Sequence, residues 1–111
     1  MIQVQVENEG MELQLWPSLL RLGDCIHVAF RAARVVGTMN PPRYDVSILD
    51  SRRRRIATLL RGHARPTAGV VCVEWDGRDE SGVYVPSGAY RVQVVGLGFL
   101  LRLEQVVHVI G

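Results

Sequence analysis

The chain has 111 residues, 48% of them hydrophobic and 22% charged, and a net charge of +2. This is the size and composition of one folded domain, residues 1–111, rather than two domains or a disordered tail. Thirteen basic residues against eleven acidic ones exclude a strong overall field for nucleic acid or an acidic membrane, and no apolar run reaches the ~18 residues of a membrane helix.

Apolar and polar residues alternate with a period of two along most of the chain, and helical spacing is nearly absent. In chain order the pattern predicts strands at Ile2 to Glu7, Met11 to Trp16, Asp24 to Ala32, Arg43 to Asp50, Arg55 to Arg61, Gly69 to Trp75, Val83 to Val85, Tyr90 to Val95 and Phe99 to Val109. Asn8-Glu9-Gly10 and Gly96-Leu97-Gly98 read as hairpin turns. Pro41-Pro42 and Pro66 forbid a central strand where they fall. Short strands at this spacing make the fold class all-β, an antiparallel sandwich of 7–9 strands. The N-terminal segment has neither a basic stretch nor an apolar stretch of the kind a secretion signal carries.

The same alternation names a core. Ile26, Val28 and Phe30 face inward on one strand and Tyr44, Val46 and Ile48 on the next, with Val4, Val6, Leu13 and Leu15 ahead of them. Ile56, Leu59, Val71, Val73, Trp75, Tyr90, Val92, Val94, Phe99, Leu101 and Leu103 supply the other half. Cys25 and Cys72 fall in the outward phase, as two unpaired thiols or, in an oxidising compartment, a cross-strand disulfide.

The most informative stretch runs from Val73 to Tyr90. A strand ends in Trp75 and is followed by Asp76-Gly77-Arg78-Asp79, then by a second acidic turn closing on Gly82, then by Pro86-Ser87-Gly88 and a new strand at Tyr90. Each acidic residue can bond its own downstream backbone, and each glycine accepts positive φ, so two tight turns hold Trp75 and Tyr90 at neighbouring strand ends. These residues resemble the signature of the Ig-like domain at the C-terminal end of the flagellar hook-capping protein family, the FlgD-like Ig domain. The segment from Arg43 to Leu60 is similar to that family's strand-turn-strand, in which an Asp ends one strand and an Ile-x-x-Leu opens the next, except that Arg53 stands where the family has a turn glycine. The resemblance extends in order from about Asp24 to Val95. It implies an Ig-like, fibronectin III-like sandwich in which Trp75, Asp76, Gly77, Arg78, Asp79, Gly82, Pro86, Ser87, Gly88 and Tyr90 are a structural signature.

Little else points to chemistry. His27, His63 and His108 have no repeated spacing, and the serines lack a nucleophile context, so no catalytic residue is named. Asp76, Asp79 and Glu80 gather carboxylates in one loop. Arg78 intervenes, and the alternate spacing of a calcium loop is missing, so they read as turn-forming acids and no metal or cofactor is expected. Trp75, at the end of an alternating row, reads as core in preference to a sugar-stacking platform. Arg52, Arg53, Arg54 and Arg55 form the one conspicuous charge cluster, at a hairpin tip, where a solvated tip or a docking point for an acidic protein is expected.

The expected function is that of a non-catalytic structural or protein-interaction module in an extracellular or particle assembly, such as a hook-cap-like scaffold or a virion decoration or tail component. The expected partners are protein subunits, including further copies of the chain, with neither nucleic acid nor membrane insertion. The first strand and the long terminal strand are candidates for strand addition. The alternative is a carbohydrate- or cell-wall-binding accessory module displaying Trp16, Tyr84 and Phe99.

Overall fold

A computed structural model describes residues 13–17, 19–21, 23–31, 43–63, 69–96 and 101–111. The expected strand at Ile2 to Glu7, the turn at Asn8 to Gly10, the core positions Val4, Val6 and Phe99, and Leu97 and Leu100 lie outside them. The described residues form strands only: β1 Leu13–Trp16, β2 Leu19–Arg21, β3 Ile26–Arg31, β4 Arg43–Leu49, β5 Arg55–His63, β6 Val70–Trp75, β7 Gly88–Gly96 and β8 Leu101–Ile110. They make two sheets, β1-β3-β6 and β2-β8-β7-β4-β5, stacked as a sandwich of the Ig-like kind.

Alternation explains the stacking. Along β3 the inward Ile26, Val28 and Phe30 are fully buried, and along β4 and β7 so are Tyr44, Val46, Ile48, Val92 and Val94. Two aromatic pairs bridge the sheets edge to face. Phe30 meets Tyr44 with ring centroids 5.0 Å apart, and Trp75 meets Tyr90 at 5.8 Å.

Three expectations change. Leu19–Arg21 was not anticipated as a strand, yet it pairs parallel with His108 to Ile110 and buries Leu20 completely. The terminal strand is therefore not the rim of its sheet, because β7 bonds it on one side and β2 covers its end on the other. Val83 to Val85 forms a single bridge, Arg78 with Tyr84, rather than a strand; Val85 alone turns inward.

Ile56 and Leu59, both expected to point inward, are three residues apart, which a regular strand does not allow. Pairing between β4 and β5 slips at Val46/Ser47 and again at Ile48/Leu49, so Leu59 and Ile56 are the extra residues of two bulges. Both pack against the core.

Candidate interaction site

The loop between β6 and β7 is closed by its own polar groups. Asp76 Oδ1 accepts the backbone N–H of Arg78 at 3.1 Å while Gly77 takes a φ of 85°. Asp79 Oδ1 accepts the Ser81 N–H at 2.9 Å, the Ser81 hydroxyl at 2.6 Å and the Val83 N–H at 3.1 Å, and Gly82 turns the chain with a φ of 85°. Backbone bonds from Asp79 N–H to the Val83 carbonyl and from Val85 N–H to the Gly77 carbonyl complete the fold of the loop.

The loop is also tied to both sheets. The Trp75 indole N–H donates to the Arg78 carbonyl at 2.9 Å, and the indole is 2% exposed. The Tyr90 hydroxyl donates to the Pro86 carbonyl at 2.6 Å, four residues back, in the manner of a tyrosine corner. Ser87 Oγ accepts the N–H of Gly111, and Gly88 opens β7. Glu80 N–H donates to the Ile56 carbonyl on the bulged edge, and the Thr58 hydroxyl donates to Glu80 Oε1. All the signature residues thus fall in one bracing unit. The Glu80 link to β5 was not legible, because it joins an exposed carboxylate to a bulge that alternation hides.

The carboxylates respond to these donors. The Ser81 hydroxyl, with the backbone N–H groups of Val83, Ser81 and Gly82, holds Asp79 below the ordinary value of 3.8. Asp50, at the β4–β5 tip, is lowered chiefly by the Arg54 N–H and the Arg54 side chain. Burial raises Tyr90, and the charge of Asp50 adds to the effect.

At the arginine cluster the tip is built around Asp50, whose Oδ1 accepts the N–H groups of Arg52 and Arg54 at 2.9 and 2.8 Å. Arg53 sits at a φ of 63°, the left-handed region its turn glycine would occupy without strain. Three of the four guanidinium groups are matched within the chain: Arg53 with Glu104 at 2.7 Å, Arg54 with Asp50 at 2.8 Å and Arg55 with Asp45 at 3.4 Å.

Other candidates are scattered. Cys72 is opposite Ala29, four positions from Cys25, or roughly 13 Å along the strand. Both thiols are exposed and unbridged. His27 Nδ1 is 3.1 Å from Glu74 and its ring stacks on Trp16 at 5.4 Å, whereas His63 and His108 lie on β5 and β8. Among the described residues no group of three His, Cys, Asp or Glu side chains is placed to hold a metal ion. Trp16 and Tyr84 are both exposed but lie on different elements, one stacked on His27 and the other beneath Arg78. They form no aromatic row.

Residues 33–98, more than half of the chain, match the model of the FlgD Ig-like domain. The chain belongs to the FlgD Ig-like domain family. As a FlgD Ig-like domain it is one of a family of structural, non-enzymatic modules. No curated protein matches the chain. Among solved structures it is similar to part of PorZ, an essential bacterial surface component of the type-IX secretion system of Porphyromonas gingivalis, at 22% identity and a TM-score of 0.58. That likeness covers 89% of this chain and 11% of PorZ. It is also similar to part of the alkylpurine DNA glycosylase AlkC of Pseudomonas fluorescens, bound to DNA with an abasic-site analog, at 20% identity and a TM-score of 0.55, over 99% of this chain and 31% of AlkC. Both likenesses are of fold.

Proposed function

We propose that the chain is a non-catalytic structural and protein-interaction module of an extracellular or particle assembly, comparable to a hook-cap scaffold or a virion decoration. The observation that carries this reading is the closure of the signature loop. Its carboxylates and hydroxyls bond the loop's own backbone or the neighbouring bulge, which leaves rigid faces and rims for contact rather than a poised acid and base. Membership of the FlgD Ig-like family supports it, as does the presence of a similar sandwich within a bacterial surface component. Protein subunits are the partners, and Arg52, the tip guanidinium with no carboxylate partner among the described residues, is the tip's contribution to such a contact.

The test is to fractionate source cells and their shed particles with the chain tagged. Sedimentation with a high-mass surface or particle fraction is expected. A small soluble pool, together with glycan-array binding that depends on Trp16 or Tyr84, would instead make the chain a sugar-binding accessory module.

A further inference from the structure

The outer face of the five-stranded sheet carries unbalanced positive charge. Register places Arg21 beside Ile110, Arg91 beside Val106, and Arg102 beside Val95 in the row of Asp45, with Arg43 one step along β4. All four of these arginines are exposed. The carboxylates on this face are already engaged, Asp45 with Arg55 and Arg61 and Glu104 with Arg53, so Arg21, Arg43, Arg91 and Arg102 have no acidic partner among the described residues. Leu19, 42% exposed, and Ile110, 40% exposed, form an apolar corner of the same face.

The opposite character lies on another surface. Glu74, Asp76, Asp79 and Glu80 line one open groove between the signature loop and β5; among the described residues Arg78 is the cation that lines it, 3.8 Å from Asp76, and His27 approaches Glu74 at 3.1 Å, which leaves an excess of acid. Beside it the loop exposes Val83 and Tyr84. One surface is basic with an apolar corner and the other acidic with an apolar knuckle, and no ion pair joins Arg21, Arg43, Arg91 or Arg102 to the loop carboxylates among the described residues.

From this complementarity we infer that the arginine face docks the acidic loop of a second copy of this chain. A face with no exposed aromatic among the described residues does not suit a stacked sugar or single-stranded nucleic acid, whereas arginines beside aliphatic side chains suit a protein surface. The contact joins two different patches, so it is head to tail and leaves one patch open at each end, which permits a growing row rather than a closed pair. This inference deepens the assembly role proposed above and rests on it.

Sedimentation velocity over a concentration series at low and high salt tests it. Association that weakens as salt rises is expected, since exposed charges are screened beyond about 10 Å at 0.1 M. The face variant Arg91→Glu/Arg102→Glu and the loop variant Glu74→Arg/Glu80→Arg are each expected to weaken self-association by at least about tenfold. Val83→Ser, at a loop position 60% exposed, is expected to weaken it without changing any charge. Melting curves establish that each variant folds. Mixed together, the two charge-reversed variants are expected to associate again, because the intact loop of one meets the intact face of the other and the two reversed patches complement each other in turn.

A chain that stays monomeric at low salt, variants that associate like the parent, or a mixture that does not complement would overturn the inference. A monomer that instead binds duplex DNA or an acidic polysaccharide would overturn it too. Failure here, with the chain still sedimenting in a particle fraction, removes the copy-to-copy contact and leaves the assembly role standing.

Discussion

Arg53 shows how much one backbone angle decides at a tip. Its φ of 63° costs an L-residue roughly 1–2 kcal/mol, and its half-exposed ion pair with Glu104 returns about 1 kcal/mol at most. Arg53→Gly is therefore expected to be at least as stable as the parent in urea unfolding. Arg52→Gly, next door on ordinary backbone, is expected to lose about 0.5–1 kcal/mol. Equal losses from both would mean that the angle carries no strain. Tyr90 poses a second test at this scale, because its hydroxyl reaches the Pro86 carbonyl from a largely buried ring. Tyr90→Phe is expected to lower stability by about 1 kcal/mol, and an unchanged melting temperature would show that the corner contributes nothing. Asp50 and Asp79 contribute to the loss of stability in acid. Their lowered values mean that the folded chain binds these protons more weakly than the unfolded chain. Their contribution is whole above the ordinary 3.8 and is lost as pH falls through the lowered values. A melting series from neutral to acid pH should show that loss, and Asp79→Asn should flatten it.

At the scale of elements, the legibility of each strand followed the regularity of its alternation. β3, β4, β6 and β7 alternate well enough to appear where expected, although Ala29, Ser47 and Leu49 are buried on the phase that alternation turns outward. β5 was found, but its odd Ile56 to Leu59 spacing concealed two bulges, and only the pairing with β4 reveals them. β2 was missed for a simple reason: Leu19-Leu20-Arg21 is too short to alternate, and its partner lies almost the whole chain away at His108 to Ile110. Gly96 is another position whose meaning lies in pairing. It stands opposite Tyr44, and a Cβ there would come within 2.9 Å of that buried ring. Gly96→Ala is expected to cost about 1–3 kcal/mol by overpacking, measured by denaturant unfolding. A neutral result would mean that the ring is free to move aside.

For the whole molecule, the sequence told more about bracing than about contact. Turn chemistry is local, so the signature from Trp75 to Tyr90 could be read residue by residue before any sheet was known. The arginine face could not, because Arg21, Arg43, Arg91 and Arg102 are far apart in the chain and come to one face only through strand order and register. The tip cluster at Arg52 to Arg55 drew notice for being contiguous, yet most of its charge is spent inside the fold. Removing the bridge between sheets should matter more than any surface change: Trp75→Ala is expected to cost about 3–5 kcal/mol and to leave the chain unfolded or nearly so by circular dichroism.

The most direct measurement uses the two indoles as internal references. Proton exchange at their N–H groups, followed by NMR, should find one slow signal, from Trp75 bonded to the Arg78 carbonyl in the core, and one fast signal from the exposed Trp16. Two signals exchanging at the same solvent-limited rate would contradict the closed loop on which the scaffold reading stands.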